Sequence, residues 1–179
     1  MGGLTAGALQ HIDPWSVVVL ALVTLQRLAE LLIAQRNTRR LLARGAFEVA
    51  PGHYPALVAV HAVWLAGLWL LASDIPPILP WLSIYLVLQV LRIWVLATLG
   101  GRWTTRIIVL PHAPLIAAGP YRFLRHPNYA VVIGEILVLP LVFGLVRFAL
   151  AMSLANAVVL AIRIRAEQPA LDQTHPPLT

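Results

Sequence analysis

The chain has 179 residues, 60% apolar and only 11% charged, which excludes an ordinary soluble domain because a core of this length cannot cover so many apolar side chains. The sequence contains no cysteine, so disulfides and thiolate zinc sites are excluded as well. The net charge of +6 comes from arginines that alternate with apolar segments, a pattern typical of membrane topology signals and anionic-lipid contacts rather than nucleic-acid binding.

Three apolar segments of about 20 residues come first, the length that a helix needs to cross the hydrocarbon of a bilayer. After a long polar connection, apolar sequence continues from Tyr129 to about Ile164, which is too long for one crossing and fits two short helices. Pro140 and Gly144 supply a break between these two helices. The predicted spans are residues 15–34, 55–73, 79–99, 129–143 and 146–164.

The distribution of arginine tests this count, because positively charged loops stay on the cytoplasmic side. Five crossings place three segments on one face: the connections after the first and third spans, and the tail. Their arginines are Arg36, Arg39, Arg40, Arg44, Arg102, Arg106, Arg122, Arg125, Arg163 and Arg165. We therefore expect an all-α polytopic integral membrane protein, with a single domain over residues 1–179. Its N-terminus is expected outside and its C-terminus in the cytoplasm, after a short C-terminal helical hairpin.

Charged side chains also fall inside the predicted spans, where each costs roughly 2.5 kcal/mol or more. They are Arg27, Glu30, Arg92 and Glu135. Two interpretations are open: the charges neutralise one another and fix the helix register, or they line a polar site. Gly134, beside the last of them, allows two helices to approach closely.

Histidines are the remaining candidates for metal ligands, at positions that include His53, His61 and His112. None of them forms a cluster with carboxylates at ligand spacing, so we expect no metal site. A lone histidine on an apolar helix, such as His61, is more often a hydrogen-bonded structural residue.

The segment with the densest polar and aromatic groups runs from Gly119 to Tyr129, directly before an apolar helix. Pro127 suits the first turn of that helix, where backbone N–H groups lack internal partners. A helix start flanked by Arg125 and His126 suits an anionic group such as a carboxylate. The alternative is an interfacial belt, in which arginines contact lipid phosphate and tyrosines lie at the membrane surface.

A second polar cluster follows the last span. Arg163 and Glu167 are four residues apart, so they share one face of the helix that leaves the membrane. An exposed pair of this kind contributes only about 0.3–0.5 kcal/mol. Because Glu167 is a carboxylate on a face crowded with arginines, the alternative is that it holds a cationic amine or ribose hydroxyls.

The order and spacing of these two clusters resemble the isoprenylcysteine carboxyl methyltransferase family. The family pattern is a Gly-x-Tyr turn, an Arg-His-Pro-x-Tyr motif, a helical hairpin and an Arg-x-x-x-Glu element. Here these are Gly119-Pro120-Tyr121, Arg125-His126-Pro127-Asn128-Tyr129, and Arg163 with Glu167. The well-matched stretch covers about residues 112–171.

The rest of the chain resembles a bacterial branch of that family associated with type III polyketide synthases. The matching features are Arg27-Leu28-Ala29-Glu30-Leu31, Arg36-Asn37, Gly45-Ala46-Phe47-Glu48 and His53-Tyr54-Pro55.

The resemblance implies that S-adenosyl-L-methionine is the methyl donor, bound by a cytoplasmic cofactor-binding segment without a Rossmann fold. By motif position, the cofactor-binding residues are His112, Leu115, Ile116, Tyr121, His126, Pro127, Asn128, Tyr129 and Glu167. Arg163 and Arg125 are expected to face the substrate as the catalytic residues. The family often has two adjacent glutamates where this chain has Glu167-Gln168, so the second acidic position is not matched.

The acceptor implied by the resemblance is lipophilic. Our preferred class is a long-chain alkylpyrone or alkylresorcinol-type polyketide, whose O-methylation needs a base such as Glu135, His53 or His61, or a lowered pKa of the acceptor hydroxyl. A prenylcysteine carboxylate is already ionised, and Arg163 or Arg125 can orient it. Phospholipid N-methylation is a third possibility, and a structural or carrier membrane protein with a vacant donor site is the alternative outside catalysis. The expected partners are the lipophilic substrate and membrane lipids, with no nucleic acid and no metal.

Overall fold

A computed structural model describes residues 12–111, 113–114 and 116–174. Five helices make up most of this part of the chain: α1 Pro14–Leu42, α2 Tyr54–Ala72, α3 Leu79–Leu99, α4 Pro127–Val142 and α5 Val146–Thr174. Two short strands, β1 Phe47–Glu48 and β2 Ile108–Val109, pair antiparallel and join the connections that follow α1 and α3. The predicted all-α architecture is confirmed, since the described residues form a single sheet of two strands, each two residues long.

Helix α1 is longer than predicted, because it does not end at residue 34. Its start follows the sequence closely: Asp13 caps it by accepting a hydrogen bond from Ser16 N at 2.9 Å. The next ten residues after Ala34 include neither glycine nor proline, so nothing stops the helix before Gly45, which has φ +87°. The extension over residues 35–42, which follows the predicted first span, is therefore about two turns of helix.

Helix α5 is also longer than predicted. It continues past the predicted end at residue 164 to Thr174, so Arg163 and Glu167 lie on an unbroken helix. Both extensions carry arginines away from the apolar part of the bundle on rigid elements.

Hydrogen bonds between helix ends fix an up-and-down topology. At one end, Asn37 near the end of α1 donates to the carbonyls of Gly100 and Trp103, just after α3. At the other end, Asp13 N donates to Ser73 O and Ile78 N donates to Val142 O. The carboxyl ends of α1, α3 and α5 therefore share one end of the bundle with the amino ends of α2 and α4. We call it the arginine end, since the connections that meet there carry most of the arginines.

Four of the helices in the described residues, α1, α2, α3 and α5, are long and apolar enough to cross a membrane. Helix α4 is shorter, with 16 residues and a length of about 24 Å at 1.5 Å per residue, against a hydrocarbon thickness of roughly 30 Å. It is also the most enclosed helix, since half of its residues are buried against α3 and α5. The chain is thus a polytopic membrane protein with four long helices around a short inner one.

The turn between α4 and α5 forms at Gly144 rather than at Pro140. Gly144 has φ +67°, and Leu145 N donates to Pro140 O, which closes the helix end. Pro140 lies in the last turn of α4 and has no N–H, so the carbonyl of Ile136 loses its partner within the helix. The indole N–H of Trp64 donates to that carbonyl at 3.2 Å, which ties α2 to α4.

Close helix packing depends on two glycines. A Cβ at Gly67 of α2 would lie 2.4 Å from the ring of Phe148 on α5. A Cβ at Gly134 of α4 would lie 2.9 Å from Leu88 on α3, so the close approach predicted for Gly134 is present. Around these contacts, Leu68, Ile136 and other apolar side chains form the buried core.

Candidate active site

The intramembrane charges form one buried cluster, which we call the ion cluster: Arg27, Glu30, Arg92 and Glu135. Arg92 of α3 contacts Glu30 of α1 through Nε at 2.6 Å and Nη2 at 2.5 Å, and contacts Glu135 of α4 through Nη1 at 2.9 Å. Arg27 joins the same two carboxylates at 2.9 and 2.8 Å. Two arginines and two glutamates thus cancel in charge, and they link α1, α3 and α4.

Two glutamines complete this cluster. Gln26 donates to Glu30 at 3.0 Å and to Gln89 at 2.8 Å, while Gln89 donates to Glu135 at 2.9 Å. Both oxygens of Glu135 are therefore occupied, and its side chain is almost completely buried. Of the two interpretations of the intramembrane charges, mutual neutralisation therefore accounts for the position of Glu135.

A second cluster forms at the arginine end, where α4 begins and α5 leaves the bundle. Tyr129 donates its hydroxyl hydrogen to Glu167 at 2.5 Å and accepts a hydrogen bond from Nε of Arg163 at 2.9 Å. The His126 ring stacks on Tyr129, with centroids 5.0 Å apart and planes at 11°. We call His126, Tyr129, Arg163 and Glu167 the hairpin cluster, because the α4–α5 hairpin brings them together from 34 or more residues apart.

Arg163 is the most constrained member of the hairpin cluster, at 7% exposure. Besides Tyr129, its Nη1 donates to the backbone carbonyl of Thr105 at 2.6 Å. The hydroxyl of Thr105 lies 3.2 Å from that of Tyr54, and the guanidinium of Arg106 lies over the Tyr54 ring at 4.5 Å. The connection after α3 therefore closes over the start of α2 and reaches the hairpin.

This closure is held by the two-stranded ladder. Arg106 forms an ion pair with Glu48 of β1 at 2.9 Å, which joins the connections that follow α1 and α3. Both connections thus belong to one layer that covers the arginine end of the bundle.

A cavity of about 290 Å³ lies beneath this layer, and we call it the central cavity. Its wall is mostly apolar and comes from all five helices and the connection after α3. At one side it reaches Tyr129 and Arg163 of the hairpin cluster, and deeper it reaches Arg27, Glu30 and Arg92 of the ion cluster. Three of its apolar lining residues are exposed: Leu28, Leu31 and Val58.

The model of the isoprenylcysteine carboxyl methyltransferase family matches residues 81–173, which run from α3 through the hairpin cluster. The chain belongs to this family. It is therefore a membrane methyltransferase. A similar protein, "Uncharacterized protein YpbQ" of Bacillus subtilis (strain 168), is 38% identical over 161 residues, which cover 87% of this chain and 96% of that protein. No solved structure matches the chain.

The Arg-His-Pro-x-Tyr motif of the family spans the start of helix α4. Pro127 occupies the first turn, as predicted, and His126 precedes it without a side-chain cap bond. Asn128 lines the central cavity, and its Oδ1 is buried without a hydrogen-bond partner in the described part of the protein. A buried acceptor without a partner is costly, so this atom is a point where a ligand would be held.

Tyr121 lies in the short turn Gly119–Arg122. Burial raises the pKa of Tyr121 to about 12, and the negative charge of Glu167 adds to the shift, which places this ring near the hairpin cluster. Gly119 has φ +54°, and a Cβ there would lie 2.5 Å from the hydroxyl of Thr98 on α3. The Gly-x-Tyr turn of the family thus packs against α3 through a position that only glycine fits.

Other predicted site residues lie outside this arrangement. Ile116 is half-buried in the connection before α4, whereas His112 and Leu115 lie outside the described residues. Arg102 holds the connection just before Ile116 in place, because it donates a hydrogen bond to the backbone carbonyl of Pro114 at 2.7 Å. Arg125 is exposed and does not line the central cavity, so the structure groups Arg163, but not Arg125, with the cavity wall.

Sequence reasoning missed several cavity residues. Asn156, at 2% exposure on α5, lines the central cavity with an unpartnered Oδ1, and a lone asparagine within an apolar span was a usable signal. Thr105 carried no signal, because it acts through its backbone carbonyl. Tyr54 was named only within His53-Tyr54-Pro55, one of the features that resemble the bacterial branch of the family.

Proposed function

We propose that the chain transfers a methyl group from S-adenosyl-L-methionine to a hydroxyl of a lipophilic acceptor, a long-chain alkylpyrone or alkylresorcinol-type polyketide. The observation that carries this proposal is the central cavity. It connects Tyr129 and Arg163 of the hairpin cluster to the exposed apolar residues Leu28 of α1 and Val58 of α2. A lipophilic acceptor entering from the bilayer and a polar donor at the arginine end would therefore meet in one space.

The residues at the arginine end fit the proposed donor, which offers a carboxylate, an ammonium group, ribose hydroxyls and an adenine ring. The amino end of α4 carries the positive end of the helix dipole, which favours an anionic group. Glu167 supplies a carboxylate for the ammonium or the ribose hydroxyls, and Asn128 Oδ1 supplies a buried acceptor without a partner among the described residues. The bound donor would supply an electrophilic sulfonium methyl.

The contribution of the protein to such a transfer is chiefly alignment and exclusion of water. Arg163 holds Tyr129 and the carbonyl of Thr105 in fixed positions, and thereby shapes the cavity wall next to the proposed donor site. The closed layer at the arginine end separates this wall from water. We place this end in the cytoplasm of the bacterial cell, on the inner membrane, because it carries most of the arginines.

Arg163 also supports a second candidate, carboxyl methylation of a prenylcysteine-like substrate. Its guanidinium is at 7% exposure in the cavity wall and is suited to orienting a carboxylate. A labelled methyl group distinguishes the two, because an aryl or pyrone ether survives mild base whereas a carboxyl ester is hydrolysed. Label on phospholipid headgroup amines would instead identify N-methylation.

Donor binding is tested by adding S-adenosylhomocysteine, the demethylated form of the donor, to the purified protein and measuring the change in melting temperature. We expect stabilisation of wild type, and a loss of donor affinity of about tenfold or more in Glu167→Ala, because one charge-assisted hydrogen bond is worth about 1.5–3 kcal/mol. Asp74→Ala is the matched control and should bind normally, since Asp74 is an exposed carboxylate between α2 and α3, at the opposite end of the bundle. No stabilisation of wild type would refute the proposed binding of S-adenosyl-L-methionine at this site.

A further inference from the structure

We infer that His61 is the residue that accepts the proton of the acceptor hydroxyl, and that this hydroxyl binds on the cavity wall formed by His61 and Asn156. The inference rests on the proposed function and narrows its acceptor to a weakly acidic hydroxyl. Both side chains line the central cavity, His61 from α2 and Asn156 from α5.

The hydrogen bond of the His61 ring defines its protonation. Nδ1 lies 2.9 Å from the carbonyl oxygen of Leu57, one turn earlier on α2. Because a carbonyl only accepts, Nδ1 carries the hydrogen of the neutral ring and Nε2 keeps a lone pair. Nε2 has no hydrogen-bond partner among the side chains and backbone that the structure describes. His61 therefore presents a free proton acceptor to the cavity.

Asn156 lies at about the same depth as His61. Helices α2 and α5 run antiparallel, and Gly67 meets the ring of Phe148 where they pack. His61 is six residues before Gly67 and Asn156 eight residues after Phe148, so both lie about 9–12 Å from that contact toward the arginine end. The fully buried amide of Asn156, whose Oδ1 lacks a described partner, is then available to orient a bound hydroxyl.

The carboxylates of the ion and hairpin clusters are already occupied, and His126 does not line the central cavity. Glu135 receives hydrogen bonds on both oxygens from the ion cluster and Gln89, and it does not line the cavity. Glu30 lines the cavity, but both of its oxygens are held by arginine. Glu167 accepts the Tyr129 hydrogen bond, and the side chain of His53 lies outside the described residues.

The step assigned to His61 is a proton transfer. Nε2 takes the hydrogen of the acceptor O–H, while the oxygen supplies the electron pair of the new O–CH₃ bond. The pair of the broken methyl–sulfur bond stays on the sulfur of the sulfonium donor, which becomes a neutral thioether. The imidazolium then returns its proton to water, so the enzyme regains its starting state. An acceptor that is already ionised does not need this step.

The experiment compares two acceptors of equal chain length, an alkylresorcinol and a 4-hydroxy-2-pyrone. The resorcinol titrates near 10, as phenols do, whereas the pyrone is a vinylogous acid that is ionised at neutral pH. We expect His61→Gln to lose about 10²–10⁴-fold in kcat on the resorcinol and less than about tenfold on the pyrone. Glutamine retains a donor for Leu57 O but cannot take a proton. Leu65→Ala, one turn along the same cavity wall, is the control and should affect both acceptors equally.

Binding without the donor gives an independent measurement. Wild type should bind the resorcinol more tightly than its dimethyl ether, and His61→Gln and Asn156→Leu should each reduce this preference. Equal kcat losses on both acceptors, or an unchanged preference for the free hydroxyl, would overturn the assignment to His61 and leave the proposed function intact. A wild type that binds S-adenosylhomocysteine but methylates neither acceptor would overturn the proposed acceptor class, and the assignment with it.

Discussion

Arg92 provides the sharpest test of the ion cluster. Arg92→Met removes three hydrogen bonds to Glu30 and Glu135 and changes the net charge of the cluster from zero to −1. Breaking a buried ion pair from one side costs about 3–5 kcal/mol. Each carboxylate keeps one contact to Arg27 and one to a glutamine, so we expect the lower end, about 3 kcal/mol. That corresponds to roughly a 100-fold change in the unfolding equilibrium.

Reversible unfolding in mixed micelles, followed by circular dichroism, measures this cost. Arg147→Met is the control, because Arg147 is exposed on α5 and should lose less than about 0.5 kcal/mol. The double variant Arg92→Met/Glu135→Gln restores neutrality and should be more stable than the sum of its single variants predicts. If Arg92→Met costs no more than Arg147→Met, or if the double variant is merely additive, the cluster does not hold the helices as argued.

Two further predictions concern packing and pH. Gly67→Ala places a Cβ 2.4 Å from the Phe148 ring and should destabilise the protein by about 1–3 kcal/mol in the same unfolding assay, whereas Gly52→Ala meets nothing within 4 Å and should be near neutral. The raised pKa of Tyr121, about 12 against 10.0 for the free side chain, means that its neutral form stabilises the fold below pH 10 and that this contribution is lost as the pH rises to 12. The unfolding free energy should therefore fall less steeply between pH 10 and 12 in Tyr121→Phe than in wild type. Parallel pH curves for the two proteins would contradict a raised pKa of Tyr121.

The part of the fold that was predictable is the part governed by local sequence. Hydropathy located the apolar segments, and α3 has the predicted bounds of residues 79–99. Spacing placed Arg163 and Glu167 on one helix face, and the structure brings both to Tyr129. The predicted end of the first span was wrong, because the change from apolar to polar residues was taken as a helix end although the stop signal comes only at Gly45.

The part that was not predictable depends on contacts between distant segments. The Thr105 carbonyl contacts Arg163 only because the connection after α3 folds back over α2, and no side-chain pattern encodes that path. The Ile136 carbonyl receives the Trp64 indole because Pro140 removes its helical donor, which is visible only once α2 and α4 are known to pack. The roles of the cofactor-binding residues remain predictions, and the donor-binding measurements decide them.

The intramembrane charges of the ion cluster are both paired and, for three of the four, placed in the wall of the central cavity. Arg27, Glu30 and Arg92 pair with one another or with Glu135, and they also line the central cavity. Unpaired, such charges would be too costly at this depth, and fully apolar residues in their place would leave the cavity without polar groups. Mutual neutralisation is therefore the condition under which the cavity can hold a polar acceptor head. For this reason a neutralised double variant such as Arg92→Met/Glu135→Gln, though partly restored in stability, should still bind the acceptor more weakly than wild type.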